Sequence, residues 1–566
     1  MKNKIFLFIC CVTFLCSSCY EDKGNYDYKN LSKIEVEKFL KEDGTSINVN
    51  SSMSVTIGGM VSVRPVLTIV NERPNMNFNY TWTFKDQIIG TDETLSWKSD
   101  ILGSGAVLLD IEDIENGTHF ITAFYLTVGE PYQAEGFLIL SEKDGIPCLS
   151  LLKGIYYDDV SDYELLTGLY QKENGKSLPN DVFKLHEHFC KGSYGSQIMA
   201  VCKTDLVDIN AYTFKEAMRA ETIFSGEVPQ ISDVMFMQWL DLVTDKDGCL
   251  YQRRKTTNEL FHSQRFLSQP MMFKGETLKN IRIIPDDFSS YRNFLLLYDS
   301  HKKRYLVISD LVGTNWSASS DVTTIGKIEE ANYSGDEWPE KFTPLNNMKE
   351  CNVIHTGFFR DNRNTYVNWF FSIFEKNSNY YYQKFMIERA YTSDGTFKTS
   401  VNEGQEGKVP ALFGNIFNEK SIIAVLEYSE GYGLDSSHPY TFVSSGNSLY
   451  LYDIDNLDED ISFKKLLDFD SPVTALDTSC PGGNYLGVGL ENGEFYVLRM
   501  NQAKNHCEDQ DYLVRWHVPA GELGKIKSVR YKTDGNGTQF WDYPSDCVNR
   551  KLRDFSRSFF IYVLTL

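Results

Sequence analysis

This 566-residue chain lacks the short motifs that mark most enzyme classes. There is no G-x-S-x-G elbow, no H-E-x-x-H pair and no phosphate loop, so nucleophile-elbow hydrolysis, zincin chemistry and P-loop phosphoryl transfer have no sequence support. The S-x-D-x-G-x-T-W box of propeller glycosidases is also missing; Thr392-Ser393-Asp394-Gly395-Thr396-Phe397 only approximates it. Basic residues are scarce, 56 against 77 acidic ones, and the net charge of −21 repels phosphate backbones, which argues against nucleic acid as a partner. No C-x-x-C pair occurs among the twelve cysteines, so a zinc ribbon or thioredoxin-type dithiol is not expected. Helical periodicity is nearly absent, with Thr213 to Phe224 the best candidate.

What is present begins at the first residue. Lys2 and Lys4 precede an apolar run, Ile5 to Leu15, of about eleven residues, whereas a bilayer-spanning helix needs ~20. A secretory signal therefore fits better than a membrane anchor. Ser17 and Ser18 stand directly before Cys19, the arrangement of a bacterial lipobox, in which the cysteine becomes the acylated first residue. Two or more acyl chains, at ~0.8 kcal/mol per buried methylene, hold a protein stably to a membrane. This predicts a lipoprotein signal over 1–18, lipidation at Cys19, and a polar tether over 19–31.

Residues 76–84, M-N-F-N-Y-T-W-T-F, alternate apolar and polar, the pattern of a strand with one buried face carrying Met76, Phe78, Tyr80, Trp82 and Phe84. Further strands are expected at Lys33–Glu37, Met53–Ile57, Val61–Val70, Thr94–Trp97, Ala106–Ile111 and His119–Val128. Short strands separated by turns such as Gly58-Gly59 and Asn116-Gly117 predict an immunoglobulin-like sandwich over 32–135, with Trp82 in its core.

From Gly136 a unit recurs: apolar strand, polar tight turn, apolar strand. Its copies are GFLILSEKDGIPCLSLL, DLVTDKDGCLYQRR, NFLLLYDSHKKRYLVISD, NWFFSIFEKNSNYYYQKFMI, TFVSSGNSLYLYDI and YLGVGLENGEFYVLRM, with a weaker one in FKLHEHFCKGSYGSQIMAVC. The turns centre near residues 144, 193, 247, 301, 377, 446 and 492, about 46–76 apart, as β-propeller blades with insertions would be. The expected architecture is all-β: an immunoglobulin/PKD-like sandwich, then a β-propeller of about seven blades over 136–566. A turn at Thr533-Asp534-Gly535-Asn536-Gly537 either adds an eighth blade or belongs to the closing strand, and the pattern weakens after about Val529.

Several clusters invite chemistry. His186, His188 and Cys190 share one face of a strand, but same-face neighbours lie ~6.6 Å apart and no second pair completes a zinc site, so no metal is assigned. A turn centred on Ser193-Tyr194 sets Cys190 opposite Gln197 and Cys202 opposite Leu185, so these cysteines should not bridge. Eight cysteines remain outside the signal and anchor, most of them read as buried small residues. Asp245-Lys246-Asp247-Gly248 begins like a calcium loop but lacks its later ligands and reads as a hairpin turn. Asp453, Asp455, Asp458, Glu459 and Asp460 suit a solvated loop as well as a cation site. Arg253-Arg254-Lys255 is expected at a solvated strand end. No catalytic residue, cofactor or ligand-binding set is singled out; a glycan would stack on an exposed aromatic drawn from Trp239, Trp316, Trp338, Trp369, Trp516 and Trp541.

CYEDKGNYDY resembles the opening of the PKD-like surface lipoproteins of Bacteroidota, and YTWTFKDQIIGTDETLSW resembles the central strands of a PKD domain. GFLILSEKDG and DGCLYQR are similar to the family's recurring hairpins. The resemblance implies an outer-membrane protein, lipid-anchored and facing the cell exterior, accessory to a SusC/SusD-like nutrient importer. It would bind a glycan, a peptide or a partner protein without enzymatic activity. Two alternatives are a propeller-fold hydrolase of surface glycans and a purely structural component of the importer.

Overall fold

A computed structural model of the chain describes residues 32–532 apart from 155–162, 189–196, 238, 256–263, 285–293, 311–324, 360–367, 392–396, 410–415, 419, 426–439, 454–462, 479–484 and 501–502. The signal, the tether and Cys19 lie outside the described residues, as do Cys190, Cys480, Cys547, Trp316, Trp541, the acidic residues 455–460 and the turn at 533–537. The chain divides into two compact units between Pro131 and Tyr132.

The first unit is a two-sheet sandwich. One sheet holds Lys33–Lys41, Ser46–Asn48, Met60–Val70 and Leu95–Lys98; the other holds Ser52–Thr56, Phe78–Phe84, Gln87–Gly90, Gly103–Asp113 and Thr118–Gly129. Seven of these nine strands match the alternation read from sequence. The short strands Ser46–Asn48 and Gln87–Gly90 carry too few residues to show a period. Trp82 is fully buried among Phe39, Phe84 and Phe124, and its indole N–H donates to the carbonyl of Asp92 at 2.8 Å. It is a core residue, held by the single hydrogen bond a buried indole requires.

The second unit is a seven-bladed β-propeller, an all-β ring of seven antiparallel sheets among the described residues. Blade 2 contains Val182–His188, Gln197–Cys202, Leu206–Asn210 and Glu216–Arg219, and blade 3 contains Ile231–Phe236, Leu240–Asp245 and Leu250–Arg254. Blades 4 to 7 begin at Ile281–Ile283, Asn352–Phe359, Ile423–Val425 and Val473–Thr478. Blade 1 joins the two ends of the unit: Lys525–Lys532 pairs with Gly136–Lys143, which is followed by Ile146–Lys153 and Glu164–Leu166. The pairing extends through Gly136↔Lys532, so the stretch after Val529 is the closing strand, despite its weak resemblance to the repeats.

Packing shows that the ring is complete. Seven buried apolar clusters lie between successive blades, one for each junction, including one between blades 7 and 1. There Phe137 packs 5.7 Å from Phe495, and Gly487 leaves the space: a Cβ on it would sit 2.8 Å from the Phe137 ring. Each blade is apolar on both faces because each is covered on both sides, which is why second strands such as Phe294–Asp299 are buried throughout. The unit gains most of its stability from this burial, at roughly 25 cal/mol per Å2.

Three expectations are corrected. Thr213 to Phe224 is not a helix: Glu216–Arg219 is the fourth strand of blade 2, followed by one helical turn, Ala220–Ile223. Pairing of Val207, Asp208 and Ile209 with Arg219, Met218 and Glu216 outweighs the intrinsic preference of this stretch. The turn expected near residue 193 lies outside the described residues, and the strands that flank it, Val182–His188 and Gln197–Cys202, are the first and second of their blade, whereas the other six repeats join the second and third. The equivalent turn in blade 2, Lys203-Thr204-Asp205, has no glycine to reveal it. Its register differs too, with Val182 opposite Cys202 and Leu185 opposite Ala200. Cys202 is buried and free, as are Cys249 and Cys351.

Candidate ligand-binding site

The first strands of the blades touch one another around the axis through polar contacts. Lys184 of blade 2 pairs with Asp233 of blade 3 at 2.6 Å, and Arg282 of blade 4 donates to the carbonyl of Val353 of blade 5 at 3.1 Å. Leu185 N–H donates to the Ser528 hydroxyl of the closing strand at 3.0 Å. Asp477 of blade 7 accepts from Tyr531 N–H of that same strand at 2.5 Å.

At the end where these strands begin, a cleft of about 380 Å3 opens between blades 7, 1 and 2. Its lining includes Phe183, Lys203, Thr474, Lys525, Ile526 and Lys527, together with Asn180 and Asp181. The closing strand supplies two lysines because alternate residues of a strand share a face, with Ile526 turned into the blade 7/1 core between them. Lys203 comes from the unpredicted turn of blade 2, brought beside Val182 by the observed register.

Charge distinguishes the cations. Lys527 pairs with Glu142 at 2.6 Å and lies 3.4 Å from the carbonyl of Val182; Lys525 pairs with Glu491 at 2.5 Å. The Lys527 ammonium, by hydrogen bond and charge, holds the Glu142 carboxyl below its usual range. Asp181 accepts from the N–H and hydroxyl of Thr204, at 2.9 and 2.7 Å. Lys203 is exposed and forms no ion pair among the described residues; its backbone N–H donates to Asp181 O at 3.3 Å. The cleft is therefore lined by three lysines and one aspartate, in a chain of net charge −21.

The residues singled out from sequence lie elsewhere. His186 is on the first strand of blade 2, its ring 5.6 Å from Phe236 in blade 3. No metal-binding group of three His, Cys, Asp or Glu side chains occurs among the described residues. Asp245 and its neighbours form a hairpin turn, with the carboxylate accepting from the N–H groups of Asp247 and Cys249. Arg253 and Lys255 are not solvated. Both are buried and paired with buried Asp241, the guanidinium Nε at 2.7 Å and the ammonium at 3.1 Å, because the strand end is roofed by Phe266. Of the tryptophans, Trp369 is buried, and Trp239 and Trp338 pack against blade cores. Trp516 is 39 % exposed on the outer strand of blade 7, stacked 4.9 Å from Tyr163. The lysine cleft was missed because its members stand far apart in the chain and carry no motif.

A model of the PKD-like family matches residues 19–181, a span that covers the sandwich and runs into the first strands of the propeller. No curated protein matches the chain. Among solved structures, a quinoprotein alcohol dehydrogenase-like protein from Bacteroides thetaiotaomicron is similar over 88 % of this chain and 100 % of its own, at 13 % identity and a TM-score of 0.35. BamB from Moraxella catarrhalis is similar over 72 % of this chain and 96 % of its own, at 8 % identity and a TM-score of 0.31. Apo AztD from Citrobacter koseri matches over 69 % and 84 %, at 9 % identity and a TM-score of 0.32.

Proposed function

We propose that this protein is a non-enzymatic lipoprotein of the outer membrane, held by acylated Cys19 on the external face, that binds a ligand at the axial cleft as an accessory to a SusC/SusD-like importer. The cleft carries this reading. Its cationic lining suits contact, and the one carboxyl at its rim with a displaced pKa, Glu142, is held ionised. A glycosidase needs the reverse, a carboxylic acid kept protonated to donate to the leaving group. Every Asp and Glu with a displaced pKa among the described residues is likewise lowered.

The complex-forming part of the reading has its own support in the sandwich. Register places Ile88, Leu108, Ile121 and Tyr125 on one face of the five-stranded sheet, where all four are exposed, Ile121 by 70 %. Exposed apolar side chains grouped on one face of a sheet suit contact with a partner protein.

The test is affinity purification from the native membrane in gentle detergent, with mass spectrometry of the eluate. The expected result is co-elution of a large channel protein and its lidding lipoprotein. Recovery of this chain alone would contradict an importer role, and turnover of a polysaccharide panel would contradict a non-enzymatic one.

A further inference from the structure

The exposed face of the five-stranded sheet constrains what can cover it, on the reading that it is a protein contact site. None of the five strands of that sheet contains a lysine or arginine. The outward face of the four-stranded sheet, by contrast, carries Lys33, Glu35, Glu37, Arg64 and Lys98, all exposed. Sheet surfaces that stay in water are guarded by charge, lysine above all, so one face of the sandwich is built for water and the other is not. A membrane surface is a poor occupant as well, because apolar faces that lie on lipid are flanked by cations. Pairing sets Ile88, Thr83, Leu108 and Ala123 in one row across the sheet. Ile121, opposite Asp110, lies to one side of this row, and Tyr125, opposite Ala106, lies equally far to the other. Beyond them stand Glu112 at the first end and, at the second, Ser104, whose hydroxyl is 2.9 Å from that of Thr127. The two carboxylates are partnered within the sheet, Asp110 by His119 and Glu112 by Asn79, each at 3.0 Å.

We propose that this face pairs with the same face of a second copy of the chain, about a two-fold axis that runs along the row of Ile88, Leu108 and Ala123. That axis lays the strands of the two sheets antiparallel. Leu108 then meets Leu108 of the second copy, and Ile121 meets Tyr125 twice by symmetry. The acidic end of each face falls on the hydroxyl end of the other, which brings Ser104 to Glu112 and the Tyr125 hydroxyl to Asp110. An axis along the central strand, Gly103–Asp113, would instead stack Asp110 and Glu112 on their own copies, like charge on like charge. Strands ~4.8 Å apart with a rise of ~3.4 Å per residue give this sheet a face of roughly 600 Å2. A pair therefore buries about 1,200 Å2, the lower end of the range for specific interfaces.

Sedimentation equilibrium of the purified full chain in density-matched detergent tests this, together with cysteine cross-linking. The parent chain is expected to show a concentration-dependent equilibrium between monomer and dimer. Ile121→Glu should weaken the dimer by about tenfold or more, because it sets a carboxylate in an apolar contact. Arg64→Glu, on the charged outward face of the other sheet, makes the chain still more acidic and should change the equilibrium by less than about twofold. Both positions are exposed, so both variants should melt with the parent protein. Ala123→Cys, on the row, should cross-link to its own copy under mild oxidation, with the parent chain as the blank. Glu112→Cys should cross-link only when mixed with Ser104→Cys. A monomer at every concentration, a dimer indifferent to Ile121→Glu, or self-linking of Glu112→Cys would each overturn the proposal, as would a monomer that binds protein-free vesicles through Ile121. Co-elution with a channel protein would survive any of these results, which separates failure of the dimer from failure of the importer role.

Discussion

At the scale of single residues, the sequence is most misleading where charge is buried. Arg253-Arg254-Lys255 has the composition of a solvated strand end, yet only Arg254 is exposed. Arg253 and Lys255 alternate with it on the strand and so turn inward, where Asp241, on the neighbouring strand, receives both. Nothing in a linear reading pairs position 241 with 253 and 255, because that pairing exists only through the register Asp241↔Arg253. Removing one partner of such a cluster leaves uncompensated charge in a dry site. Asp241→Ala is expected to lower stability by about 3–5 kcal/mol, read as a shift of the urea unfolding midpoint. Arg254→Ala, on the same strand, should change it by less than about 0.5 kcal/mol. Trp82 makes the opposite case: strict alternation around it placed it in a core from sequence alone, and it is fully buried.

At the scale of elements, most of the legible hairpins carried Gly, Asn or Asp in a left-handed conformation at the turn, while the one near residue 301 uses Lys303. Asp144-Gly145 and Asn377-Ser378 have positive φ and lie at the expected turn centres. The Lys203-Thr204-Asp205 turn has none of these signals, and its blade was recognised instead by a different hairpin. The closing strand was the hardest to read because it lacks a hairpin partner beside it in sequence; its neighbour, Gly136–Lys143, is nearly 400 residues earlier. Its start is sterically tight. A Cβ on Gly524 would lie 2.0 Å from the carbonyl oxygen of Glu142, backbone that cannot yield locally. Gly524→Ala is therefore expected to displace the first pairs of the strand, Lys525↔Glu142 and Ile526↔Ser141. The predicted signature is faster amide exchange at residues 525–528 than at 529–532, with a loss of about 1–3 kcal/mol. Exchange unchanged along the whole strand would show that the junction tolerates the methyl.

At the scale of the whole molecule, the fold class and the blade number were readable because both follow from repetition, which is visible in one dimension. The site was not, because it forms where strand 1 of one blade meets those of its neighbours, a property of closure. A ring explains why lysines from residues 203, 525 and 527 share a cleft while the intervening chain is occupied with other blades. The functional reading joins that cleft to the other end of the chain, where Ser17-Ser18-Cys19 precede a polar tether. The most direct measurement is metabolic labelling of the native cells with palmitate, comparing the parent chain with Cys19→Ser. The account predicts label on the parent protein in the outer-membrane fraction and none on the variant. An unlabelled parent chain, or one recovered free in the cytosol, would contradict it.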